Sequence, residues 1–194
     1  RDGLALVDGR SQAAAMGERG ESPGGSSRER RLHREGHNVV WVGPSGKPKV
    51  LTKDGTPADP YLGRFSYSPD ERFALGWRET VVDVRRIPLV DVSPKDQPQP
   101  KLDMHRYGKP GDPLPQRRPR LFDLKRRRAI PVDDALFIDT VQVGRIHWSA
   151  DSKRVFVHVV ERGHQRAGIY SIDAASGAVA TVVEDRSETF LDTS

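Results

Sequence analysis

Two kinds of tight turn recur along this chain at a near-constant offset, and a fixed repeat restricts the fold more than any bulk property does. The first kind is Ser68-Pro69-Asp70-Glu71, seen again as Ser149-Ala150-Asp151-Ser152. Pro presets φ, and Ser or Asp side chains bond nearby backbone, so such turns form for local reasons. The second kind follows a hydrophobic run and puts Gly43, Asp123 and Asp173 at equivalent points. From the second kind to the next first kind the step is 27 residues (43 to 70) and then 28 (123 to 151).

Between the turns the runs are short. Asn38 to Val42 and Lys49 to Thr52 flank Gly43-Pro44-Ser45-Gly46, and Arg64 to Tyr67 leads into the first Ser-Pro-Asp turn. Phe73, Leu75 and Trp77 share one face at period two, as do Val155, Val157 and Val159. Ile169 to Ile172 and Ala178 to Val183 flank Asp173-Ala174-Ala175-Ser176-Gly177. No stretch holds a helical period, so the class is all-β, built from hairpins. The last two second-kind turns are 50 residues apart, and Ser22-Pro23-Gly24-Gly25, a decayed first-kind turn, puts Gly24 46 residues before Asp70. Propeller blades repeat every ~40–50 residues. The reading is therefore an incomplete β-propeller of about three blades.

One interval is too long. Asp70 and Asp151 are 81 residues apart, and the surplus lies in the Pro-rich, charged stretch from Arg78 to Arg120. This predicts an arm inserted in one blade (about 78–120), since long connections in compact domains carry function or disorder. Three blades cannot close a ring. The next first-kind turn falls due at about residue 200, and the chain begins at Arg1 rather than Met, so we expect further sequence on both sides.

Residues 1–36 are expected to be poorly ordered, because Gly17 to Arg34 has Leu32 as its only aliphatic side chain; residues 37–194 form the folded unit. The net charge is +5, yet the basic residues are scattered among acidic clusters, so nucleic acid is not expected as a partner. Lys125-Arg126-Arg127-Arg128 reads as a solvated turn; joined by Arg117, Arg118 and Arg120, it would make a patch for an acidic partner. With no cysteine, disulfides, thiolate zinc sites and a cysteine nucleophile are excluded. No apolar run reaches the ~20 residues that span a bilayer. Ala13-Ala14-Ala15-Met16 is too short for a signal peptide core.

No catalytic residue is assigned, no metal or cofactor is expected, and no substrate-binding residue can be named from the sequence. A Gly-x-Ser-x-Gly nucleophile elbow is not expected, and Ser45 has the wrong spacing for one. His147, Ser149 and Asp151 alternate at one hairpin and read as strand and turn, because a triad draws its members from separate elements. Of His33, His37, His105, His158 and His164, only the first two lie four apart, in the Gly/Ser/Arg-rich segment. Glu161-Arg162 and Glu184-Asp185 read as solvated strand ends. Trp41, Trp77 and Trp148 read as sheet packing.

The arm carries Ile87-Pro88-Leu89-Val90, Pro98-Gln99-Pro100-Lys101-Leu102 and Tyr107-Gly108-Lys109-Pro110-Gly111-Asp112-Pro113, followed by Leu121-Phe122-Asp123-Leu124. His37-Asn38-Val39, Leu51-Thr52, Asp54-Gly55-Thr56 and Tyr67-Ser68-Pro69-Asp70 precede it; Trp148 to Arg154, Asp173 to Gly177 and Asp192 follow. In this order the motifs resemble the N-terminal propeller of the bacterial dipeptidyl peptidase IV family, over about residues 22–194. The resemblance implies an eight-bladed propeller that caps an α/β-hydrolase domain and gates or positions peptide substrate for it. It also implies a Glu-Glu pair between Asp54 and Phe65 that anchors the substrate's amino terminus; Asp59 is the only carboxylate there. The expected function is the non-catalytic propeller portion of such a serine exopeptidase. Its partners are the hydrolase domain, peptide substrate and a second copy of the chain, in the periplasm or outside the cell. The alternative is a stand-alone propeller that binds proteins without catalysis.

Overall fold

A computed structural model describes residues 31–43 and 46–192. Among these described residues thirteen strands make four antiparallel sheets. The first sheet holds β1 (Arg31–Glu35), β2 (Asn38–Val42) and β3 (Pro48–Val50). The second holds β4 (Ser66–Tyr67), β5 (Phe73–Glu79), β8 (Arg117–Asp123) and β9 (Arg128–Ile130) in that order. A separate ribbon pairs β6 (Arg86–Asp91) with β7 (Lys101–Arg106). The last sheet runs β10 (Thr140–Trp148), β11 (Arg154–Glu161), β12 (Arg166–Asp173) and β13 (Val179–Arg186).

The second and last sheets are copies of one plan. Phe73 pairs with Asp123 in one and Arg154 with Asp173 in the other. Leu124 N–H donates to the Arg72 carbonyl at 2.8 Å, and Ala174 N–H to the Lys153 carbonyl at 2.8 Å. The two turn kinds therefore lie side by side at one end of each sheet, which is why they repeat together in the sequence. The first sheet carries the second-kind turn between β2 and β3, so its strands correspond to the last three of the plan.

Period two decides how the sheets stack. Phe73, Leu75, Trp77 and Leu121 leave one face of the second sheet to meet Trp148, Val155, Val157, Tyr170 and Ile172 of the last. Ala74 and Phe122 leave the opposite face and meet Leu32, Val39 and Trp41 of the first. Gly76 sits on that face because a Cβ would come within 2.9 Å of the Phe65 ring. Three sheets packed face to face around a two-sided central one is the arrangement of successive propeller blades, and the ring is incomplete. The three tryptophans serve this packing. Trp77 meets Phe137 edge-on at 6.3 Å, Trp148 Nε1 donates to Ser66 Oγ at 3.1 Å, and Trp41 lies under the Arg127 guanidinium at 4.3 Å.

Three expectations need correction. Arg31 to Glu35 is a strand, so the folded unit starts before residue 37; β2 supplies its pairing partners, and Leu32 is buried against Trp41. The proposed turn at Ser22 to Gly25 and the rest of residues 1–30 lie outside the described residues. The arm spans 80–116 rather than 78–120, because Arg78, Glu79 and Arg117 to Arg120 are ladder residues joining β5 to β8. Finally, Arg117, Arg118 and Arg120 lie at the far end of β8 from Lys125 to Arg128 and pair with Glu79, Asp59 and Asp134, so the two basic groups do not form one patch.

The turn chemistry is the same in both copies. Ser68 Oγ donates to Asp70 Oδ1 at 2.6 Å and accepts from Phe73 N–H at 2.9 Å; Ser149 Oγ does so to Asp151 Oδ1 at 2.7 Å and from Arg154 N–H at 3.0 Å. Glu71 and Ser152 take φ of 54° and 61° to close the turns. Burial pushes the Asp70 carboxyl up, but hydrogen bonds from Ser68, Arg72 N–H and Ser152 outweigh it and hold the group below the usual carboxylate range. The Ser149 hydroxyl lowers Asp151, and the Ser176 hydroxyl lowers Asp173. A carboxylate depressed in the folded state contributes stability that is present above its unfolded pKa of about 3.9 and is lost as pH falls through the folded value. The expected melting temperature is flat from neutral pH down to about 5 and falls below about 4. Asp70→Asn should flatten that acid limb in a thermal melt series. Ser68→Ala, which leaves the buried Phe73 N–H without its hydroxyl, should cost about 1–3 kcal/mol in urea unfolding.

Candidate functional site

Antiparallel pairing puts every connection of a blade at one of two rims. The turns occupy one. The other gathers the loop 51–65, the arm, the end of the 131–139 connection at Asp139 and the short 3-10 turn Arg162–His164. Hydrogen bonds join these pieces: Tyr61 N–H to the His37 carbonyl at 3.1 Å, Gln116 Nε2 to Asp139 Oδ1 at 2.9 Å and Arg162 N–H to the Asp139 carbonyl at 2.9 Å.

The loop 51–65 is pinned by charge. Arg78 and Arg118 stand directly opposite each other across β5 and β8, a like-charge juxtaposition that is unfavourable alone. Asp59 resolves it: its Oδ2 lies 2.7 Å from Arg78 Nη2 and 2.6 Å from Arg118 Nη2. Arg78, only 9% exposed in its side chain, also bonds Asp54 Oδ2 at 2.6 Å and the Asp54 carbonyl at 2.9 Å. Tyr61 donates to Asp54 Oδ1 at 3.0 Å. Burial first, and then this bond to Asp54, raise the Tyr61 phenol. Asp59, the only carboxylate between Asp54 and Phe65, is thus held by two guanidinium groups. Its other oxygen is buried without a hydrogen-bond partner.

The arm leaves the blade after Glu79, whose carboxylate takes Arg117 Nε at 2.6 Å. The Tyr107-to-Pro113 motif closes its base. Asp112 Oδ2 accepts from Lys109 N–H at 2.9 Å, Arg85 Nε pairs with Asp112 Oδ1 at 3.1 Å, and the Asp112 carbonyl accepts from Arg162 Nη2 at 2.5 Å. Gly111 permits the turn with φ of 92°. Beyond this clasp, among the described residues, β6 and β7 pair only with each other. Pro88, Val90, Leu102 and Met104 fall on one face by register, and the last three are 60%, 66% and 48% exposed.

A third charged group lies on the last blade. Arg166 bonds both oxygens of Glu161, at 2.9 and 3.2 Å; Glu184 accepts from Tyr170 at 2.6 Å and from Arg186 at 2.7 Å. Burial, and then the bond to Glu184, push the Tyr170 phenol up to about 12. These pairs reach across strands, so Glu161 and Glu184 belong to a network rather than to solvated ends.

None of these groups is a nucleophile with a base. Ser149 and Asp151 make the turn described above, and His147 packs its ring 6.5 Å from Phe156 across the ladder. His158 lies against Gly144, where a Cβ would come within 2.5 Å of its Nδ1. Ser45 is outside the described residues. The expectation about the elbow also needs correction as a matter of sequence: Gly20-Glu21-Ser22-Pro23-Gly24 fits the Gly-x-Ser-x-Gly pattern. It lies outside the described residues, and its neighbours are Gly17-Glu18-Arg19 and Gly25-Ser26-Ser27. An elbow needs a buried strand before it and a helix after it, and these residues favour neither. Among the described residues no three His, Asp or Glu side chains gather as metal ligands, and no helix is long and apolar enough to cross a membrane.

The fold and its rims define a run of propeller blades that carries a hairpin arm. The family model for the dipeptidyl peptidase IV (DPP IV) N-terminal region matches residues 61–194, more than half of the chain. The chain belongs to that family. The match starts well inside the stretch over which the motifs show their resemblance; ahead of residue 61 the motifs, and for β1 to β3 the blade plan, carry the likeness. Two solved structures are similar in fold. Porphyromonas gingivalis dipeptidyl peptidase 4 aligns with a TM-score of 0.57 at 16% identity, over 84% of this chain and 26% of its own. A Bacteroides ovatus protein described as a dipeptidyl aminopeptidase IV aligns with a TM-score of 0.55 at 15% identity, over 88% of this chain and 25% of its own. The chain thus spans about a quarter of the length of each. No curated protein matches the sequence.

Proposed function

We propose that this chain is the propeller portion of a dipeptidyl peptidase IV-like serine exopeptidase, gating or positioning peptide substrate for an α/β-hydrolase domain borne elsewhere in the protein. The observation that carries this reading is the built rim. A family-matched set of blades brings the loop 51–65 and the clasped base of an arm together on one side, where a second domain and a substrate can be met. The proposed setting is the periplasm or the outside of the cell.

The proposal departs from the family's implied specificity at Asp59. A carboxylate already shared by Arg78 and Arg118 has little left to offer a substrate ammonium. The natural-length protein is therefore expected to cleave Xaa-Pro chromogenic peptides with little loss when their amino terminus is acylated, and a serine-directed phosphonate should abolish both activities. Full activity on the free amine with none on the acylated peptide would refute the specificity reading. No cleavage of either, with no phosphonate labelling, would refute the peptidase reading itself.

A second reading, a protein-binding propeller without catalysis, draws support from the apolar face of the arm. An isolated two-stranded ribbon is marginal in water, so Val90, Leu102 and Met104 are well placed to be covered by a second copy. Leu102→Asp is expected to shift the natural-length protein from dimer to monomer in sedimentation. A monomeric parent would contradict that use of the arm.

A further inference from the structure

The turn rim holds a basic surface that the peptidase reading does not use. The β8–β9 hairpin carries Lys125, Arg126, Arg127 and Arg128, all exposed. The Arg127 guanidinium stacks 4.3 Å from the Trp41 ring centroid, on the neighbouring blade. Lys49 is the cross-strand partner of Trp41, and Lys47 lies in the turn just before β3; both are exposed. Stacking thus brings the β8–β9 turn against β2 of the neighbouring blade. Neither residues 36–53 nor residues 124–132 contain an acidic side chain. Among the described residues Lys47, Lys49, Lys125, Arg127 and Arg128 make no ion pair, and Arg126 reaches only Asp123 at 3.9 Å.

We infer that this basic surface binds an anionic lipid headgroup layer. Lys125, Arg126 and Arg127 sit on the β8–β9 turn, Lys47 just before β3, and Lys49 and Arg128 within β3 and β9 close by; all are exposed, so a flat charged surface can meet them together. An acidic peptide would want a strand edge, and β3 and β9 offer three residues each. Single-stranded nucleic acid would want a stacking aromatic, but Trp41 is 5% exposed beneath Arg127. Each cation close to an anionic bilayer strengthens binding about five-fold, and the contribution is screened within a Debye length of ~10 Å at 0.1 M salt.

The test uses the natural-length protein and sedimentation with phosphatidylglycerol/phosphatidylcholine vesicles, phosphatidylcholine vesicles and duplex DNA at 0.1 M salt. The comparison variant is the triple substitution Lys125→Ala, Arg126→Ala, Arg128→Ala, which keeps Arg127 on Trp41. Binding to the anionic vesicles alone is expected, with a loss of about a hundredfold in the variant and an unchanged thermal melt. Three outcomes would overturn the inference: no binding to the anionic vesicles, equal binding by the variant, or equal or tighter binding to DNA. Peptidase activity should be the same in both proteins, which separates this test from that of the proposed function.

Discussion

Phe122→Ala is expected to lower stability by about 3–5 kcal/mol. Phe122 is fully buried between the first two blades, where its ring lies 5.9 Å from Phe65 at 82° and 6.2 Å from Tyr61. Leu32, Val39, Trp41 and Ala74 complete its surroundings. Removing the ring forfeits its transfer energy and leaves a gap that two hydrogen-bonded sheets cannot close by collapsing. For a domain stable by ~5–15 kcal/mol, that is a large share. Val182→Ala, at a residue 55% exposed on β13, should stay within about 0.5 kcal/mol. Urea midpoints at constant slope would read both. Equal effects would mean that the first and second blades are not packed through this face.

The second large effect is at Asp59. Asp59→Ala removes the one oxygen shared by Arg78 and Arg118 and leaves two opposed guanidinium groups, one of them 9% exposed. Breaking a buried pair by deleting one partner costs about 3–5 kcal/mol, because the surviving charge stays buried. Arg118 at 29% and Asp59 at 21% exposure put the expected value at the lower end. Replacing Arg118 as well should recover stability: Arg118→Met added to Asp59→Ala is expected to be more stable than Asp59→Ala alone by about 1 kcal/mol or more. Strictly additive losses would show that Asp59 does not act through the arginine pair. Because the loop 51–65 rests on this clamp, Asp59→Ala should also speed amide exchange at Tyr61, which donates to the His37 carbonyl.

What could be read from the sequence follows from how local its causes are. The Ser68 and Ser149 turns were legible because Ser, Pro and Asp shape the backbone within a few residues. Phe73, Leu75 and Trp77 were legible because strands alternate faces whatever the tertiary context. β1 was missed because Arg31 to Glu35 holds one apolar residue, and its pairing with β2 supplies what its composition lacks. The ribbon of the arm was missed because Pro88 interrupts the first strand and charged residues crowd the second. The Asp59 clamp was out of reach of any local rule, since its partners lie 19 and 59 residues away. One signal did point to it: Arg78 directly follows the buried run Phe73 to Trp77, and a charge at the end of such a strand calls for a partner.

The central structural claim is that the second and last sheets are adjacent blades stacked face to face, with their turns on one rim. Asp70 N–H donates to Ser152 Oγ at 3.1 Å across that junction, and the chain has no native cysteine. Glu71→Cys with Lys153→Cys therefore makes a unique pair beside the contact. A short bis-maleimide should join the two cysteines within one chain under native conditions and fail to do so in urea. It should also fail with Glu71→Cys paired with Arg162→Cys, which lies on the opposite rim. Native cross-linking of 71 to 153 alone is the predicted result. No native cross-link at that pair, or equal linking at the opposite-rim pair, would contradict the blade stacking on which the family fold rests.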